Sequence, residues 1–166
     1  MKTLFLCGFM GSGKTTVGKR AAALLGVPFT DLDAYIEEQS GMKIADIFAA
    51  HGEAHFRALE TEALRAHTNT GGVIATGGGA LVSADNAAIA RAGGAVVFLD
   101  PPFALCYKRI QGDASRPIAF SKSKEELQSL FEARRSSYLA HSDYILAAEG
   151  PPLTLANALV ELARRI

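Results

Sequence analysis

The sequence predicts a three-layer α/β fold of the P-loop NTPase type, a five-stranded parallel sheet with helices on both faces. Three observations predict it. Short apolar, β-branched runs alternate with amphipathic stretches along the chain. The first such run ends in the glycine-rich octet Gly8 to Thr15. The chain is 166 residues long, the length of one ordinary domain able to bury a core without disulfide or metal staples.

The elements follow in order. Leu4 to Cys7 reads as the first strand, and Thr15 to Leu25 as the helix after it, stopped by Gly26. Val27 to Thr30 reads as a second strand ending at Asp31-Leu32-Asp33. Tyr35 to Gln39 and Ile44 to Ala50 are short helices punctuated by Gly41 and Gly52, and a longer helix runs from about Ala54 to His67. Val73 to Ala75 is a strand that leads into Thr76-Gly77-Gly78-Gly79. A helix around Asp85 to Arg91 precedes the strand Ala95 to Leu99, and Pro102 opens a helix ending near Ile110. The stretch 111–123, QGDASRPIAFSKS, is polar and aperiodic and reads as a mobile lid. A helix from Lys124 to Tyr138, a strand Tyr144 to Leu146 and a last helix from Leu153 complete the pattern. No repeat or low-complexity tract interrupts it.

Composition excludes some functions. Seventeen Lys plus Arg balance seventeen Asp plus Glu, so no net positive field exists to hold nucleic acid or an anionic membrane. The apolar run Leu4 to Met10 is too short for a secretory leader and leads into GSGKTT instead of a cleavage site. Cys7 and Cys106 lack metal-like spacing, and two free thiols in apolar surroundings suit a reducing compartment, so a cytoplasmic location is expected; a monomer is expected as well.

Gly8-Phe9-Met10-Gly11-Ser12-Gly13-Lys14-Thr15 matches G-x-x-x-x-G-K-[ST] between a strand and a helix. Glycines let successive N–H groups turn toward phosphate oxygens, and the helix N-terminus adds favourable potential. Gly11, Ser12, Gly13, Lys14, Thr15 and Thr16 are therefore expected to bind ATP. Lys14 would reach the β- and γ-phosphates, and the Thr15 hydroxyl would ligate Mg²⁺. No N-K-x-D guanine-reading sequence occurs, which leaves a small-molecule kinase as the leading class.

Asp31 and Asp33 stand at the expected C-terminal end of the second strand, where alternation along an extended chain would send both to one side. One could hold Mg²⁺ through water while the other accepts or orients an acceptor hydroxyl; the bland alternative is that the pair caps the next helix. Asp100, after the run Ala95 to Leu99, is a rival metal carboxylate, although Pro101-Pro102 suggests that it caps a helix. Glu60 lies one turn beyond Arg57 and could orient it, the bland reading being an exposed ion pair. His51 and His55 lack a third ligand and the H-E-x-x-H order, so metal is not expected there. The triple glycine would let a substrate lie against the backbone. Arg116, in the lid, would bring a positive charge to the phosphates on closure.

Taken together, GFMGSGKTTVG, DLDAYIE, GEAHFRALE, ATGGG and an arginine seven residues before an Arg-Pro resemble the shikimate kinase family over essentially the whole chain. The resemblance implies a nucleoside-monophosphate-kinase-like fold and transfer of the γ-phosphoryl group of ATP to the 3-hydroxyl of shikimate. It also implies roles: Asp31 serves Mg²⁺ through water, Asp33 contacts the shikimate hydroxyls as a base, and Arg57 and Arg134 hold the substrate carboxylate. Gly78 and Gly79 would line the ring, Arg109 would pack near adenine, and Arg116 would meet the phosphate, making Lys14, Asp33 and Arg116 the catalytic set. A gluconate kinase fits DLD and GEAHFR less well, and an ATP-binding module without activity would leave the presence of Lys14, Thr15, Asp31, Asp33, Arg57 and Arg116 together unexplained. The family's Arg-x-Pro-Leu-Tyr becomes Arg134-Arg135-Ser136-Ser137-Tyr138 here. On the helix, Arg134 projects within the arc of Leu127, Leu130, Phe131 and Tyr138, whereas Arg135 turns toward solvent.

Overall fold

In the computed structural model, which describes residues 1–111 and 122–166, five parallel strands form one sheet in the order β2-β3-β1-β4-β5. The strands are β1 (Leu4–Cys7), β2 (Phe29–Asp31), β3 (Val73–Ala75), β4 (Ala95–Asp100) and β5 (Tyr144–Ala147). The central registers align Phe5 with Ile74 on one side and Val96 on the other. Such strands are buried on both faces, which accounts for their continuous apolar runs. Leu4, Leu6, Val97 and Leu99 point into one apolar layer, while Phe5, Cys7, Ile74, Val96 and Phe98 point into the other.

The first layer is closed by α1 (Lys14–Leu25) and α8 (Pro152–Arg165), through Val17, Ala21, Leu155 and Leu159. On the other face lie α2 (Leu32–Ser40), α3 (Ile44–His51), α4 (Glu53–Ala66), α5 (Ala84–Ala92) and α7 (Lys124–His141). Helix α6 (Phe103–Gln111) packs beside the phosphate loop, where Cys106 and Ile110 meet Phe9 and Phe131. Both cysteines are buried, and burial pushes the Cys7 thiol up to about 12. Among the described residues no helix is long and apolar enough to cross a membrane.

Two boundaries differ from the sequence expectation in ways that matter at the site. The second strand begins at Phe29 because Val27 is committed to closing α1: its N–H bonds Ala22 O at 3.0 Å, next to Gly26 in the left-handed conformation. At the other end, the Asp31 side chain accepts from Ala34 N–H at 3.0 Å and so starts α2 at Leu32. Asp33 consequently sits in the first turn of a helix, and alternation along an extended chain does not describe the pair. The triple glycine also closes into an unpredicted single 3₁₀ turn, Ala80–Val82.

Candidate active site

The phosphate loop occupies the C-terminal edge of the sheet, between β1 and α1. Gly13 caps α1 at φ 92°, a left-handed conformation that residues with a Cβ rarely adopt. Gly11 approaches α6 so closely that a Cβ would lie 2.9 Å from the Cys106 carbonyl oxygen. Arg109 of α6 donates to Gly11 O at 2.8 Å, which fastens that helix to the loop. The Lys14 ammonium donates to Gly8 O and, at 3.3 Å, to Phe9 O, and thus lies within the curl of the loop. Ser12 Oγ is buried and, among the described residues, meets no hydrogen-bond partner. Curl, ammonium and orphaned hydroxyl together make a receptacle for anionic oxygens.

This loop opens into a cleft of about 660 Å³ that reaches α2, α4, the triple glycine and α7. Every residue expected at the site from the sequence lines this cleft, with the exception of Arg116, which lies outside the described residues together with most of the expected lid. At the mouth, Thr15 Oγ1 donates to Asp31 Oδ2 at 3.4 Å, so a hydroxyl and a carboxylate converge beside the loop. Asp31 thereby does two things at once: one oxygen caps α2 and the other faces Thr15. Burial raises the Asp33 carboxyl above the ordinary carboxylate range, Asp31 repels it further, and Lys14 and Arg57 only partly offset this.

The acceptor end is built on α4. Its buried stripe is Phe56, Glu60, Ala63 and Leu64, so Glu60 is a carboxylate within an apolar arc. Glu60 accepts from Arg57 Nη1 at 2.9 Å and 3.2 Å, with its own side chain 1% exposed. Desolvation raises its pKa and the hydrogen bond from Arg57 lowers it, with the net direction upward. The pair is therefore anchored inside the cleft, and the reading of it as an exposed surface ion pair is overturned. Phe56 lies beneath Arg57 at 5.3 Å, and Phe48 packs on Phe56 at 4.8 Å, giving the cleft an apolar wall.

The triple glycine serves this constellation in a way its sequence does not disclose. A Cβ on Gly77 would fall 2.7 Å from Asp33 Oδ1, one on Gly78 3.1 Å from Arg134 Nη1, and one on Gly79 2.7 Å from Arg57 Nη1. Each glycine makes room for one charged side chain of the cleft. Gly77 was not among the expected site residues, because only the fold brings Asp33 against it.

Arg134 is half-buried on α7 with Leu127, Phe131 and Tyr138 of the same arc buried. Arg135 is exposed, as expected, yet it is engaged. It grips Asp100 in a two-bond fork, 2.9 Å and 2.8 Å, which engages both oxygens of that carboxylate and ties α7 to the end of β4. The His51 and His55 rings lie 4.7 Å apart at a tilt of 40°, and among the described residues no group of three or more acidic, His or Cys side chains could hold a metal ion.

A phosphate loop at the C-terminal edge of a 2-3-1-4-5 parallel sheet, opening on a charged acceptor cleft, defines a P-loop nucleotide-binding protein of the small-molecule kinase type. The family model Shikimate kinase matches residues 10–164. The shikimate kinase of Persephonella marina is 38% identical over 96% of this chain and 98% of its own. That of Geobacter sulfurreducens is 44% identical over 82% of this chain and 77% of its own. The solved structure of the Acinetobacter baumannii shikimate kinase in complex with shikimate superposes with a TM-score of 0.90 at 35% identity, covering 99% of this chain and 94% of that one. The Aquifex aeolicus enzyme gives a TM-score of 0.85 at 34% identity, covering 98% and 96%. This chain belongs to the shikimate kinase family.

Proposed function

We propose that this chain is a single-domain cytoplasmic enzyme that transfers the γ-phosphoryl group of ATP to the 3-hydroxyl of shikimate, a step of aromatic amino acid biosynthesis. The observation that carries the reading is the union, in one cleft, of a phosphate loop with Asp33, Arg57 and Arg134, on a chain of this family. Phosphoryl transfer asks a protein for positioning and charge stabilisation more than for covalent chemistry. Lys14 and the loop N–H groups neutralise charge on the transferring group. Arg57, held rigid by Glu60, and Arg134 grip the shikimate carboxylate and turn the hydroxyl edge of the ring toward the loop. Asp33 holds the 3-hydroxyl and takes its proton, a task favoured by the raised pKa, since a carboxylate closer to the working pH is the stronger base. Arg109, fastened to Gly11, borders the place for adenine. Arg116 enters this scheme from its sequence position alone.

The oxygen donors at the mouth fit Mg²⁺, which binds one or two protein oxygens and completes its shell with phosphate and water. Thr15 and Asp31, one hydrogen bond apart, would hold it. When bound it supplies positive charge to the phosphates. The proposal is tested by ADP release with shikimate, with gluconate and with neither. Turnover restricted to shikimate is expected, and equal release in all three would overturn it.

A further inference from the structure

The last turns of α7 grip the segment after β3 at points the phosphotransfer scheme does not use. Tyr138 is 1% exposed, and its hydroxyl donates to the Gly78 carbonyl. One turn later, the His141 ring nitrogen Nδ1 lies 2.8 Å from the Leu81 carbonyl. One turn earlier, Arg134 lies against Gly78 itself. Positions 134, 138 and 141 are spaced i, i+4, i+7 and share one helix face. The Tyr138 ring is fixed from behind by Phe98 of β4, at 5.2 Å.

A buried phenol needs a hydrogen-bond partner, so the contact could be satisfied packing and nothing more. Its acceptor argues otherwise. The Gly78 carbonyl belongs to the Gly78–Gly79 peptide, and in a trans peptide the N–H points opposite to the C=O. Drawing Gly78 O toward α7 therefore aims the Gly79 N–H away from α7. Gly79 lines the cleft, and among the described residues its N–H meets no acceptor. Between two glycines this peptide has little side-chain bulk to resist rotation, so an external bond has to set its orientation.

We propose that Tyr138 is a positioning residue for the acceptor: its hydroxyl fixes the Gly78–Gly79 peptide so that the Gly79 N–H is presented to a hydroxyl of the bound substrate, beside Arg57 and Arg134. This rests on the reading of the cleft as a shikimate site. Burial holds the phenol protonated well beyond neutrality, so it stays a donor across the working pH range.

The test is Tyr138→Phe, which keeps the ring and removes the bond. The KM for shikimate should rise about five- to tenfold, the net worth of one hydrogen bond that orders a buried carbonyl, while the KM for ATP stays unchanged. Val160→Ala, in the apolar layer on the opposite face of the sheet, serves as a control that lowers Tm without shifting the ratio of the two KM values. A shikimate KM in Tyr138→Phe within about twofold of wild type, or a rise matched by that for ATP, overturns the proposal. Wild-type protein inert toward shikimate would instead overturn the functional reading on which it rests.

Discussion

Substituting Gly79 by Ala tests whether the triple glycine exists to seat charged side chains. Gly79 adopts φ −100° and ψ −12°, which alanine takes without strain, so any effect comes from the added methyl. That methyl would stand 2.7 Å from Arg57 Nη1, 2.8 Å from Nη2 and 3.1 Å from Cζ. Carbon contacts relax at roughly 3.5 Å, so the guanidinium must retreat by about 0.8 Å. The Arg57–Glu60 bonds, 2.9 Å and 3.2 Å, would then stretch toward or beyond the hydrogen-bond limit. A displacement near 1 Å of a substrate-positioning group costs up to about a hundredfold, so kcat/KM for shikimate should fall by about ten- to a hundredfold. The KM for ATP should remain close to wild type. Weakening one buried hydrogen bond costs about 1 kcal/mol, or roughly 2–4 °C in Tm for a chain of this size. Steady-state kinetics in both substrates, with a thermal melt, reads all three. Repeating Gly79→Ala in an Arg57→Ala background completes the cycle: once the guanidinium is gone the methyl should add little. A full independent effect there, or a single variant whose kcat/KM for shikimate stays within about threefold of wild type, would refute the seating argument.

Three further outcomes are expected. Lys14→Ala should abolish turnover while leaving the melting curve near that of wild type; a folded variant retaining most of its kcat would contradict the role given to the loop. For Asp33, the folded pKa lies above the unfolded value of about 3.9, so its contribution to stability is full below that value and is lost as pH rises through the folded pKa. Asp33→Asn should therefore match wild type in Tm at low pH, exceed it increasingly toward neutrality and lose most of kcat; a Tm difference that does not change with pH would reject this. Arg134→Ala should raise the shikimate KM strongly, whereas Arg135→Ala should leave it and lower Tm slightly through loss of the fork on Asp100, and the reverse pattern would reassign the two arginines.

Much of this cleft was legible in the sequence because its signals are local. The phosphate loop carries its chemistry in eight consecutive residues, and the helical spacing of Leu127, Leu130, Phe131 and Tyr138 places Arg134 inside the arc, where it is half-buried. Glu60 was named as a partner of Arg57, yet its burial was not foreseen. The clue was its position four residues from both Phe56 and Leu64, on the apolar stripe of α4. Asp33 was misplaced because helix capping by Asp31 competed with strand extension and prevailed. The Asp100–Arg135 fork, the Tyr138–Gly78 bond and the seating of Asp33 by Gly77 join residues 35 to 60 positions apart. No periodicity within a single element encodes such pairings; they come into being when the sheet edge gathers its loops.

The decisive observation is the product. Phosphorus NMR of a reaction holding the enzyme, ATP, Mg²⁺ and shikimate should show ADP appearing in step with one phosphomonoester, its phosphorus coupled to the proton on carbon 3 of the shikimate ring. ADP formed with inorganic phosphate alone, or a phosphoester on any other hydroxyl, would contradict the placement of the acceptor between Asp33 and the two arginines.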